Sequence, residues 1–113
     1  MSPITTHVLD TSLGCPAEGI AVVLCQVAKS GETVELGRGI TNSDGRVTDL
    51  LSAGEAQAGT YRIEFDTASY FTRSGREAFY PKVEVLFEVV TSGGHYHVPL
   101  LLSPFGYSTY RGS

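Results

Sequence analysis

Charge is scarce in this sequence: Asp, Glu, Lys and Arg supply 18% of 113 residues, and the net charge is only −4. No basic stripe is present that would neutralise a phosphate backbone, so nucleic acid is not an expected partner. Long apolar runs are absent too, and none approaches the roughly 20 residues that cross a bilayer. The first residues, Met1 to His7, hold neither a basic region nor an apolar stretch. No signal peptide is therefore expected, and the chain reads as soluble and cytoplasmic, with the peroxisome left open for a eukaryotic source. There are two cysteines, Cys15 and Cys25, and without a secretory context both are expected to be free thiols. Several motif-borne chemistries are also missing. No Gly-x-Ser-x-Gly elbow, phosphate loop or dinucleotide fingerprint occurs, and neither cysteine adjoins a histidine.

What the sequence does hold is 13 glycines, five prolines and many Val, Thr and Tyr residues, the composition of short strands joined by tight turns. At this length a single domain over residues 1–113 is expected, large enough for one core. Strands are expected over residues 5–10, 20–27 and 33–40, with a short edge strand over 47–51 and a loop or helical turn over 52–58. Residues 59–66 alternate cleanly, with Tyr61, Ile63 and Phe65 on one face and Arg62 and Glu64 on the other. Asp66 is placed to cap a helix of about two turns over 67–73, which Gly75 can end. Residues 82–90 alternate again, and 95–102 and 105–110 close the chain. The expected class is all-β: a sandwich of two antiparallel sheets with seven or eight strands and one short helix.

His95-Tyr96-His97 is the first chemically unusual feature, because strand alternation points both imidazoles to one face. Histidine accepts and returns protons near neutral pH, so such a pair suits acid–base work. His7, the remaining histidine, lies in the first strand, and the three together also match a three-histidine zinc site with an open position for water. The turn at Asn42-Ser43-Asp44-Gly45 resembles a calcium loop only faintly, since Leu51 occupies the position of the bidentate Glu. Arg46 follows that turn, and a guanidinium there can grip planar carbonyl groups or favour an oxyanion. Tyr110-Arg111-Gly112-Ser113 gathers a phenol, a guanidinium and a hydroxyl in four residues.

Residues 5–10 (Thr-Thr-His-Val-Leu-Asp), 41–46 (Thr-Asn-Ser-Asp-Gly-Arg), Phe79-Tyr80-Pro81, the run from His95 to Pro104, and Tyr110-Arg111-Gly112-Ser113 closely resemble the 5-hydroxyisourate hydrolases of the transthyretin-like family. The likeness covers essentially the whole chain. It implies a transthyretin-like sandwich that adds water to the lactam carbonyl of 5-hydroxyisourate in purine breakdown, with no cofactor and no metal. It also implies a homotetramer, a dimer of dimers with sites where subunits face one another. His7, Arg46 and His97 match the family's catalytic positions, and Tyr110, Arg111, Gly112 and Ser113 match its substrate-binding tail. His95 is a neighbour assigned to substrate binding. The same framework is similar to the thyroid-hormone carrier transthyretin. A carrier of a small aromatic ligand and a three-histidine zinc hydrolase therefore stand as alternatives.

Overall fold

The computed structural model describes residues 2–51, 56–90 and 94–113. Its elements run in the order β1 (Ile4–Asp10), β2 (Cys15–Pro16), β3 (Ala21–Val27), β4 (Thr33–Ile40), β5 (Arg46–Val47), β6 (Gly59–Phe65), α1 (Thr67–Arg73), β7 (Val83–Val89), β8 (Tyr96–Ser103) and β9 (Gly106–Thr109). They form two sheets, one ordered β2-β1-β8-β9 with β5 also on β1, the other β4-β3-β6-β7. The expected sandwich with one short helix is what forms. Of the nine strands among the described residues, β2 and β5 are only two residues long, too short to leave a periodic signal. The edge strand expected over 47–51 shrinks to Arg46–Val47, and most of the expected loop over 52–58 lies outside the described residues.

One expectation needs correction. Pairing is not antiparallel throughout, because β1 and β8 run parallel, with Thr5 opposite His97 and His7 opposite Pro99. Period-two alternation tells which face a side chain takes, but carries nothing about the direction of a neighbour far away in sequence. That parallel ladder sets the layout of the candidate site.

The inner faces are apolar, as the alternation requires. Ile4 and Val8 of β1 and Val98, Leu100 and Leu102 of β8 meet Val22 and Leu24 of β3, Ile63 and Phe65 of β6 and Val83 of β7 in one buried cluster. Each fully buried side chain of this size is worth about 1.5–3 kcal/mol over its exposed state. The helix starts where the sequence places it, at an Asp66 cap whose side chain accepts from the Ser69 N–H, and it buries Phe71. Cys15 is exposed and Cys25 buried, and neither is in a disulfide. Among the described residues no helix is long and apolar enough to cross a membrane.

Beyond the inner cluster, β1 is anchored at its end. The Asp10 carboxylate is fully buried and accepts from Arg76 Nη2 at 2.8 Å, the Tyr70 hydroxyl at 2.7 Å, the Ser12 hydroxyl at 2.7 Å and the Ser12 and Leu13 N–H groups. Burial pushes this carboxyl up, but the hydrogen bonds outweigh it and hold it well below the usual carboxylate range. Tyr70 responds in the opposite sense, and burial together with its bond to Asp10 pushes it up to about 12. The strand that carries His7 is thereby tied to the segment just after α1.

Candidate active site

Since Ile4 and Val8 face the core, Thr5 and His7 face outward. Likewise Tyr96 and Val98 turn inward while His95 and His97 turn outward. The parallel register brings these outward residues together on one sheet face. The His97 ring centroid lies 6.5 Å from that of His7 and 6.4 Å from that of His95. His95 is exposed, while His7 and His97 are half-buried.

Arg46 joins them through the turn before β5. Asn42 Oδ1 accepts from the N–H groups of Asp44 and Arg46, at 2.9 and 3.0 Å, and the Gly45 N–H donates to the Asn42 carbonyl. Gly45 is obligatory there. Its φ is +75°, and a Cβ would lie 2.3 Å from the Val8 carbonyl oxygen, so only glycine lets the turn press against β1. Arg46 then pairs with His7 in the β1–β5 ladder. Its side chain is exposed and makes no ion pair among the described residues, which leaves the guanidinium available to a ligand.

These neighbours tune the imidazoles. Burial, then the Arg46 charge, lowers the pKa of His7, with partial relief from Asp44. Burial lowers that of His97 as well, followed by the charges of Arg46, His7 and His95. Both rings are therefore kept neutral at a pH where a free histidine would begin to charge, the condition for accepting a proton.

The tail is split by the sheet. Gly112 bridges to His97 in antiparallel fashion, its N–H donating to the His97 carbonyl at 2.8 Å, and a Cβ on Gly112 would fall 2.6 Å from His97 Cδ2. Only a residue without a side chain lets the tail lie on the imidazole edge. Arg111 takes the other face, with its guanidinium 4.3 Å from the centre of the Tyr96 ring. It also borders a cavity of about 280 Å³ at the sandwich edge, lined in part by Val85, Phe87, Tyr96, His97 and Tyr110. Tyr110 and Ser113 are exposed. The structure thus gathers His7, His95, His97, Arg46 and Gly112, and places Arg111 behind them.

Sequence reasoning missed Thr5. Its hydroxyl is 2.8 Å from His97 Nδ1 and 3.1 Å from His95 Nε2. Alternation puts Thr5 on the face of His7, but only the parallel register shows that it lies between two histidines. Among the described residues no three His, Cys, Asp or Glu side chains are arranged to hold one metal ion.

Fold and site together define a small β-sandwich that gathers three histidines and an arginine on one outward sheet face. A family model described as HIUase/Transthyretin family matches residues 4–112. The 5-hydroxyisourate hydrolase of Mus musculus is 48% identical over 113 residues, covering 99% of this chain and 96% of its own. That of Halalkalibacterium halodurans is 44% identical over 115 residues, covering 97% of each. Among solved structures, sea bream transthyretin in complex with thyroxine superposes with a TM-score of 0.89 at 34% identity, covering 98% of this chain and 95% of its own. Klebsiella pneumoniae 5-hydroxyisourate hydrolase does so with 0.82 at 40% identity, covering 97% and 98%. The chain belongs to the HIUase/transthyretin family.

Proposed function

We propose that this chain is a cyclic amide hydrolase that converts 5-hydroxyisourate to 2-oxo-4-hydroxy-4-carboxy-5-ureidoimidazoline, a step of urate degradation. The observation that carries the reading is the meeting of two neutral-leaning histidines, His7 and His97, with Arg46 on one outward sheet face in a chain of this family. Relatives 44–48% identical to it are named for that activity.

The chemistry follows from the groups present. His97, with Nδ1 engaged by Thr5, has Nε2 left to accept a proton from water as the oxygen attacks the lactam carbonyl. His7 helps to position that water. Arg46 meets the ring's polar edge and favours the oxyanion of the tetrahedral intermediate. Collapse of the intermediate breaks the carbon–nitrogen bond, and the proton held on His97 goes to the departing ring nitrogen. Tyr110, Gly112, Ser113 and His95 border the substrate in this reading, with Gly112 setting the ring plane of His97, while Arg111 stays behind the site against Tyr96. No cofactor is required.

In a single chain the histidine face lies open. Excluding water from the reacting centre calls for a facing wall, which a second copy of the chain supplies in a homotetramer built as a dimer of dimers. A carrier reading draws on the likeness to the thyroxine complex, but a face bearing three histidines and an arginine suits proton transfer better than an apolar ligand. Carbon-13 NMR of the product, with steady-state kinetics of His97→Ala, tests the proposal. The expected results are the ring-opened carboxylate and a turnover reduced roughly 10²- to 10⁴-fold. Near-normal turnover in the variant would remove His97 from its role.

A further inference from the structure

We propose that Thr5 is a positioning residue that fixes the tautomer of His97 and conducts a proton from it to His95. The inference deepens the hydrolase reading and rests on it. Thr5 is 4% exposed, and its hydroxyl lies between His97 Nδ1, at 2.8 Å, and His95 Nε2, at 3.1 Å. The β1–β8 ladder places it there, since Thr5 is the register partner of His97.

A hydroxyl has one proton to donate and lone pairs to accept, so it cannot donate to both rings. In one arrangement His97 Nδ1–H donates to the Thr5 oxygen and the Thr5 O–H donates to His95 Nε2. The Nε2 of His97 is then unprotonated, which is the form a base requires. In the other arrangement His95 Nε2–H donates to Thr5 and Thr5 donates to His97 Nδ1, so the His97 proton sits on Nε2, ready to be given to a leaving nitrogen.

Passage from the first to the second is a proton relay that balances. A water proton forms a bond to His97 Nε2 while the His97 Nδ1–H bond breaks and that proton joins the Thr5 oxygen. The original Thr5 O–H bond breaks in turn, and its proton forms a bond to His95 Nε2. His97 and Thr5 end neutral and His95 carries the positive charge. His95 is exposed in the single chain and holds the proton until the reverse relay returns it through Thr5 to His97 Nδ1 as the Nε2 proton goes to the leaving nitrogen, whereas His97 is half-buried beside Arg46 and His7. A cation on His97 would be repelled by Arg46 and poorly solvated, so moving the charge outward through Thr5 removes the main obstacle to accepting the water proton.

The first test needs no substrate. Histidine-selective nitrogen-15 NMR at a pH where the rings are neutral should show His97 protonated on Nδ1 in the wild type and in Thr5→Ser. In Thr5→Val, nearly the same shape without the hydroxyl, it should change to the other tautomer or a mixture. Turnover of Thr5→Val should fall roughly 10- to 100-fold with KM unchanged, less than the loss of the base itself, and Thr5→Ser should restore it. A His97 tautomer identical in wild type and Thr5→Val would overturn the proposal. If wild type fails to hydrolyse 5-hydroxyisourate, the functional reading falls while the NMR comparison still decides the role of Thr5. Should Thr5→Val not fold, His95→Ala, at an exposed position, tests the far end. Its lowered turnover should be rescued by added imidazole, and normal turnover without imidazole would overturn the relay.

Discussion

His97 is held from three directions. Thr5 takes its Nδ1, Gly112 lies on its Cδ2 edge, and burial, followed by the Arg46 charge, lowers its pKa. The titratable and charged groups around the pair are His7, His95, Arg46 and Asp44. A base acts in its neutral form, and its pKa is depressed, so kcat/KM should hold below the ordinary histidine value of about 6.5 and fall only at more acidic pH. Arg46→Met removes a positive charge that disfavours the imidazolium, which moves the acidic limb to higher pH as well as weakening oxyanion stabilisation. A pH–rate profile of both proteins checks this, and a limb that stayed in place would show that burial alone tunes His97.

At the scale of the element, β1 does most to organise the molecule. It supplies Thr5 and His7 to the outer face and Ile4 and Val8 to the core, and ends in the buried Asp10. Asp10→Asn should cost about 1.5–3 kcal/mol at neutral pH, the range for hydrogen bonds to a charged group, and leave Arg76 without its buried charged partner. The folded-state pKa of Asp10 is depressed, so its contribution is present above the unfolded value and fades as pH falls below about 4. Urea unfolding of wild type and variant at neutral and acidic pH should therefore show curves that converge in acid. The strands themselves were legible wherever alternation ran for seven or eight residues, as in β6 and β7, and so was the helix with its Asp66 cap. The two-residue strands β2 and β5 were not, because a ladder that short is set by its partner. The parallel pairing of β1 with β8 was hidden for a different reason, because alternation carries nothing about the direction of a neighbour far away in sequence, and the role of Thr5 was hidden with it. His95 and His97 could be placed on one face by periodicity alone. Their meeting with His7 and Arg46 could not, since it depends on that pairing and on a glycine turn pressed against Val8.

For the whole molecule, the sandwich acts as a flat support, with one sheet face packed and the opposite face of β1 and β8 carrying the chemistry. Such a site is open to water until something covers it, and in the proposed reading that cover is a second copy of the chain. Activity per chain should fall on dilution through the range where sedimentation shows tetramers dissociating, and activity that persisted in a monomer would mean that one chain suffices. The most direct measurement is the ultraviolet decay of 5-hydroxyisourate, freshly made from urate by urate oxidase, followed with and without the protein and with a chelator in excess. Decay accelerated by wild type, unaffected by the chelator and returned nearly to the spontaneous rate by His97→Ala, is the predicted result. Decay at the spontaneous rate with wild type would contradict hydrolysis, and acceleration abolished by the chelator would give the three histidines to a metal instead.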